Sequence, residues 1–388
     1  MRLYVYFCIL PFFEVSRTFK PVKEELMVEQ HIFVNYSKWA VPKLNSTAPL
    51  VVTMGSSLMD LIGLHEATDV LECTLYVGMQ WKDEYLEWSD TNFEVDGIVV
   101  DKDKIWLPDI VLLNGIGDSQ RLRNLQPFVY ITRKGEITWW AGGRLETKCT
   151  FDVSNYPFDT QICIMQFEPW VLKVDKVVYQ TRNGISILEH YHKNGEWEII
   201  QILDKMSLKD YGYGPRSRYE IQITVRRRYL YHVVNIVIPV VILSLINICA
   251  FIIPPSSGEK MTVCVSILLS FAVYITVINT EMPKTSINLS IFGVLLCFQM
   301  FLSGASIVFA SIILHIHLVS SAEMCCWIGK SRKSTGKKED ITSENGHDDK
   351  DNIIRNQTLA KRLDRIFVIC YVFINIISFA VYAAASLS

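Results

Sequence analysis

The sequence predicts an outer antiparallel β-sandwich joined to a bundle of four membrane-spanning helices. Three observations carry that prediction. Before Arg228 the chain alternates short apolar and polar stretches between turn residues. After it, four long stretches hold no Asp, Glu, Lys or Arg. Between the two patterns lie Cys149 and Cys163, bracketing a loop that contains Tyr156-Pro157-Phe158-Asp159.

Taken in order, residues 1–20 read as a secretory signal. Arg2 precedes a short apolar core that runs to Phe13, although no small-x-small cleavage pattern follows it. Residues 21–228 form the expected outer domain. A short helix is expected over Lys23–Phe33 and strands over Glu72–Trp81, Phe128–Thr132, Glu136–Trp140 and Tyr219–Val225. Lys134-Gly135 and Tyr213-Gly-Pro215 mark breaks. About 200 residues of this pattern fit an immunoglobulin-like sandwich. Asn35-Tyr-Ser and Asn45-Ser-Thr are glycosylation sequons and favour an exterior location.

Cys149 and Cys163 have thirteen residues between them. A disulfide here would remove roughly 3 kcal/mol of unfolded-state entropy. Spacing alone leaves pairing and coincidence equally open, because the chain has 10 cysteines. Cys249, Cys264, Cys297 and Cys370 lie in apolar runs, where a thiol serves as a small hydrophobe. Cys325 and Cys326 fit either acylation or an unmodified pair.

The uncharged stretches are residues 229–258, 261–280, 285–322 and 366–388, each long enough to cross about 30 Å of hydrocarbon. As domains they give three helices over 229–317, a short cytoplasmic linker over 318–359, and a fourth helix over 360–388. Basic residues from Lys330 to Lys338, with Lys361, Arg362 and Arg365, place the linker inside and both chain ends outside. Arg226 to Arg228 oppose that rule. Residues 330–351 read as a disordered linker, and 353–365 as a helix feeding the last span. His315 and His317 point to different helix faces and form no metal site.

In the second span, Thr262, Ser266, Leu269, Val273, Thr276 and Thr280 recur every three or four residues, along one helix stripe. Hydroxyls toward one end and branched apolar residues in the middle suit a pore lining. An ordinary lipid-spanning helix packed through small polar residues is the alternative. The net charge of −2 gives no polybasic character, so no nucleic-acid partner is expected. No nucleophile-base pair, metal cluster or phosphate loop marks an enzyme, and no cofactor is expected.

Several motifs in order resemble the Cys-loop receptors, the pentameric ligand-gated ion channels, in their cation-selective branch. They are Trp106-Leu-Pro-Asp109, Gly135-Glu-Ile-Thr-Trp139, the Cys149 to Cys163 loop, Asn235-Ile-Val-Ile-Pro239, Gly258-Glu-Lys260, Glu281-Met-Pro283 and Asp364-Arg-Ile-Phe367. The resemblance spans the outer domain through the last helix. It implies the Cys149–Cys163 disulfide, a pentamer of identical or homologous subunits, and a plasma-membrane, potentially postsynaptic, location.

It further implies an aromatic ligand box between subunits, with Trp170 as the main wall and Tyr76 contributed by the neighbour. Tyr211 and Tyr213 lie near the expected mobile loop. Leu113 stands where acetylcholine-binding subunits usually carry a tyrosine, and the loop lacks adjacent cysteines. Arg216 and Arg218 at the rim would repel a cation. The small extracellular ligand is therefore expected to be something other than acetylcholine. His190 and His192 motivate a weaker proton-gating alternative.

In the pore, five copies of Glu259 at the cytoplasmic mouth imply a ring that concentrates cations. Rings of Leu269 and Val273 would close by dewetting. Monovalent cations are the expected permeant ions, with calcium left open, and lipid surrounds the bundle. For coupling, Pro157 and Phe158 would press on the linker at Pro283, and Arg227 would find an outer-domain carboxylate; binding lipid phosphate is the alternative for Arg227. The rival functional readings are a subunit that needs partners to conduct, and a membrane-tethered binding protein.

Overall fold

The computed structural model describes residues 22–45, 47–89, 93–120, 122, 127–181, 190–254, 258–281, 289–318 and 345–387. The signal-like segment, Pro283 and the Cys325–Cys326 pair lie outside the described residues.

The helix α1 (Val22–Ile32) precedes ten strands. These are β1 (Leu50–His65), β2 (Val70–Lys82), β3 (Gly97–Asp101), β4 (Ile110–Leu112), β5 (Phe128–Thr132), β6 (Glu136–Lys148), β7 (Thr160–Pro169), β8 (Val177–Thr181), β9 (Trp197–Asp210) and β10 (Pro215–Arg227). One sheet has the order β3-β5-β6-β2-β1-β8 and the other β4-β7-β10-β9. Among the described residues the pairings between these strands are antiparallel except β1 with β8, which run parallel from Leu50 opposite Val177 to Met54 opposite Thr181. The sequence reading did not foresee this exception, because strand direction depends on a remote partner.

Alternation decides what is inside. Leu71, Leu75, Met79, Met165, Phe167, Tyr219 and Ile221 bury completely, and all belong to one core between the sheets. Burying such a side chain is worth about 1.5–3 kcal/mol. A buried polar link crosses the core: the Ser56 and Tyr219 hydroxyls each donate to Asp204 at 2.8 Å. The break at Lys134-Gly135 is the β5–β6 hairpin. Gly135 has φ +72°, and a Cβ there would sit 2.3 Å from the Asp83 carbonyl oxygen.

Below the sandwich, α2 (Leu230–Ala250), α3 (Glu259–Glu281), α4 (Ile291–Leu318) and α5 (Asn345–Leu387) are long and apolar enough to span a membrane. At 1.5 Å per residue, the 23 residues of α3 reach about 34 Å. Inside α2, Val233–Val237 widen into a π-turn. Pro239 follows and has no N–H to give the Asn235 carbonyl. Polar side chains join the helices: Asn247 donates to the Tyr371 hydroxyl at 2.6 Å, and Gln299 to Ser378 at 3.1 Å.

Two spans differ in extent from the hydropathy reading. The helix α2 ends at Ala250, ahead of Pro254. The helix α5 begins at Asn345, inside the stretch expected to be linker.

Candidate functional site

Three groups of residues hold the chemistry, at the side of the sandwich, at its base and along α3. At the side, Trp170 follows directly after β7. The backbone N–H of Trp170 donates to the Asp109 carbonyl at 3.3 Å, and Val171 N–H donates to the Asp109 carboxylate, so the Trp106-Leu-Pro-Asp109 turn orients the indole. The ring is 62% exposed. Tyr211 and Tyr213, 52% and 78% exposed, stand in the β9–β10 turn, which Gly212 and Gly214 shape with φ of +85° and +99°. Leu113 is half-buried, with its N–H donating to the Gln166 carbonyl of β7 at 2.8 Å.

Arg218 departs from the sequence reading. It is buried rather than set at the rim, with Nε on Glu168 and a terminal nitrogen on the Tyr211 hydroxyl. Tyr211 in turn donates to Glu168 at 3.1 Å. Burial alone would lower the guanidinium pKa, but Glu168 outweighs it and holds Arg218 above its ordinary value. Arg218 is therefore paired with the carboxylates of Glu168 and Glu220 rather than presented as a bare charge. Sequence reasoning could not see this, since Glu168 lies 50 residues away.

Tyr76 lies in β2 on the outer face of the six-stranded sheet, half-buried, in register with Gly142 of β6. Two residues on, Gly78 pairs with Trp140, whose indole lies over it; a Cβ on Gly78 would meet that ring at 2.9 Å. Trp140 thus shares the face of Tyr76. The alternation of Glu136–Trp140 placed it in a strand and gave no sign of this neighbour. Trp170 and Tyr76 consequently stand on different sheets of the chain.

At the base, Cys149 and Cys163 form a disulfide with Cα atoms 5.3 Å apart. The loop between them meets three helices. Phe158 stacks against Tyr229 at 5.1 Å, and the Tyr156–Pro157 peptide is cis. Tyr156 bonds His232 Nδ1 at 2.9 Å and lies 6.2 Å from the Phe292 ring. Tyr382 donates to the Tyr156 carbonyl at 3.4 Å, and Ile291 N–H to the Ser154 carbonyl at 3.0 Å. The expected meeting with Pro283 falls outside the described residues.

Arg227 ends β10 with a side chain only 2% exposed. It donates to Asp159 at 2.8 and 3.1 Å, to Glu66 beyond β1, and to Glu196 at 3.4 Å. Its guanidinium also lies 4.2 Å from the Trp197 ring. Burial would lower its pKa, yet these carboxylates hold it above the ordinary arginine value. Glu66 and Glu196 were not singled out from sequence, as nothing local marks them as partners of Arg227, nor was His232, which lies 3.5 Å from Glu196.

Along α3, two opposite stripes emerge. Glu259, Thr262, Ser266, Leu269, Val273, Thr276 and Thr280 are all exposed in the single chain, whereas Lys260, Cys264, Ile267, Phe271 and Ile278 are buried against the bundle. Ser266, Thr276 and Thr280 each donate to a backbone carbonyl one turn back, which satisfies their hydroxyls within the helix. The asparagines of the two sequons are exposed: Asn35 follows α1 with φ +62°, and Asn45 accepts from Thr47 N–H at 3.1 Å. Among the described residues no group of three His, Cys, Asp or Glu is placed to hold a metal ion.

Residues 25–229 match the family model for the neurotransmitter-gated ion-channel ligand binding domain, and residues 236–352 match that for the neurotransmitter-gated ion-channel transmembrane region. The neuronal acetylcholine receptor subunit alpha-2 of Gallus gallus is 28% identical over 74% of this chain and 55% of its own length. The acetylcholine receptor subunit beta-like 1 of Drosophila melanogaster is 30% identical over 76% of this chain and 57% of its own. The acetylcholine receptor subunit beta-type unc-29 of Caenorhabditis elegans is 29% identical, over 76% and 59%. The chain thus spans little more than half the length of these relatives.

Proposed function

Because the chain belongs to the neurotransmitter-gated ion-channel family, the Cys-loop receptors, we propose that it is a subunit of a pentameric, cation-selective channel opened by a small extracellular ligand. The observation that carries this reading is the division of α3. The stripe from Glu259 to Thr280 faces away from the bundle of its own chain, while the opposite stripe is packed. Five such stripes around an axis would line an aqueous path, with carboxylates at one mouth and an apolar constriction at Leu269 and Val273.

The ligand site would form between subunits. Trp170, Tyr211 and Tyr213 of one chain would face Tyr76 and Trp140 of the next, giving an aromatic box whose ring faces attract an ammonium. Glu168, with Glu220 at 3.5 Å, offsets the charge of Arg218 at the principal wall, while the half-buried Arg216 keeps a cation near the loop. Leu113 offers no π face, which supports a ligand other than acetylcholine. Ligand capture by the β9–β10 turn would favour the open pore through its higher affinity for that state. The base of the sandwich would transmit it through Pro157, Phe158, Arg227 and the Pro283 linker.

The relatives are named as receptor subunits, and Leu113 leaves the aromatic box incomplete; both support a second reading, a subunit that conducts only with partners. The test is to express the chain alone, apply a panel of amines, amino acids and acid steps, and record current. Evoked current lost in Trp170→Ala supports the first reading. Surface protein without current alone, but with current beside related subunits, supports the second.

A further inference from the structure

Glu259 and Lys260 are adjacent in sequence at the start of α3, yet they occupy opposite environments. Successive residues on a helix are about 100° apart, so one side chain can face the mouth while the next enters the bundle. Glu259 is exposed, whereas Lys260 is 4% exposed with its ammonium on Asp364 of α5 and 5.5 Å from the Phe251 ring. Asp364 is itself buried, at 8% exposure. The motifs Gly258-Glu-Lys260 and Asp364-Arg-Ile-Phe367, 104 residues apart, thus meet in one ion pair.

We propose that Asp364 is a positioning residue for ion selection: by holding Lys260 inside the bundle, it keeps the lysine charge from cancelling Glu259 at the mouth. A lysine stem reaches several ångströms, and an unpaired buried ammonium moves its charge to the nearest water. At the end of α3 that water is the mouth on which Glu259 opens. This inference rests on the channel reading above.

The test needs neither ligand nor current. In purified full-length protein in lipid nanodiscs, a Thr262→Cys variant is treated with a cationic and an anionic methanethiosulfonate, and modification at position 262 is followed by mass spectrometry. Adding Asp364→Asn should lower the cationic-to-anionic rate ratio by roughly tenfold, the effect between opposite reagents of one unit charge about 6 Å away in water. An unchanged ratio overturns the proposal. Lys260→Met with Asp364→Leu removes both charges without leaving one buried, and should keep the parent ratio; a raised ratio would mean that Lys260 already acts at the mouth, which also overturns it. If neither reagent reacts at position 262, the stripe does not face water, and the pore reading fails together with this inference.

Discussion

Arg227 donates to both carboxylate oxygens of Asp159, at 2.8 and 3.1 Å, which ties the last residue of β10 to the disulfide loop immediately above the membrane. The strand that leads into α2 and the loop that touches α2, α4 and α5 are therefore one electrostatic unit. Asp159→Asn should destabilise the protein by about 3–5 kcal/mol, because it strands a buried guanidinium that Glu66 and Glu196 compensate only in part. Thermal unfolding of the purified protein checks this, and an unshifted midpoint would refute it.

Acid should loosen the same unit through Glu196. The His232 ring at 3.5 Å, joined by the charge of Arg227, holds the Glu196 carboxyl below its ordinary value. A carboxyl depressed on folding adds stability that is present above its unfolded pKa of about 4.3 and is lost as pH falls through the folded value. Glu196→Gln should therefore lower the midpoint at pH 7, where the charged carboxylate contributes fully, and converge with the parent as pH falls below about 4.3, which flattens the acid side of the midpoint-versus-pH curve. A curve parallel to the parent's would count against the assignment.

Removing the disulfide with a paired Cys149→Ser and Cys163→Ser substitution should cost about 3 kcal/mol, the value for a loop of about 15 residues. Reduced delivery to the cell surface, read by biotinylation, is the expected outcome. Normal delivery would show that the contacts of Tyr156 and Phe158 hold the loop without it.

The architecture was legible because it follows from local periodicity. Alternation marked β5 to the residue, and uncharged runs marked four helices. What sequence could not reveal was pairing at a distance. The parallel β1–β8 edge, the Arg218–Glu168 bond across 50 residues, and the Lys260–Asp364 pair all depend on which strand or helix the fold brings alongside. Trp140 was missed for a related reason: its role on the Tyr76 face depends on Gly78 leaving room for the indole.

That face gives a further prediction. Trp140→Ala and Tyr76→Phe should each weaken the response to an identified ligand, with the loss in ligand concentration dependence rather than in maximal current. Gly78→Leu should do the same by displacing the Trp140 ring. Concentration–response curves on surface-matched cells decide it, and unchanged curves for all three would remove this face from the site.

The central claim is that the exposed stripe of α3 lines a cation path whose selecting charge is Glu259. Its most direct test is the reversal potential of cells expressing the chain with Leu269→Thr, which wets the apolar constriction and should open a standing current. Under a sodium chloride gradient, the account predicts a reversal potential near that of sodium, moving toward zero when Glu259→Gln is added. A reversal potential near that of chloride, or one indifferent to Glu259→Gln, would contradict it.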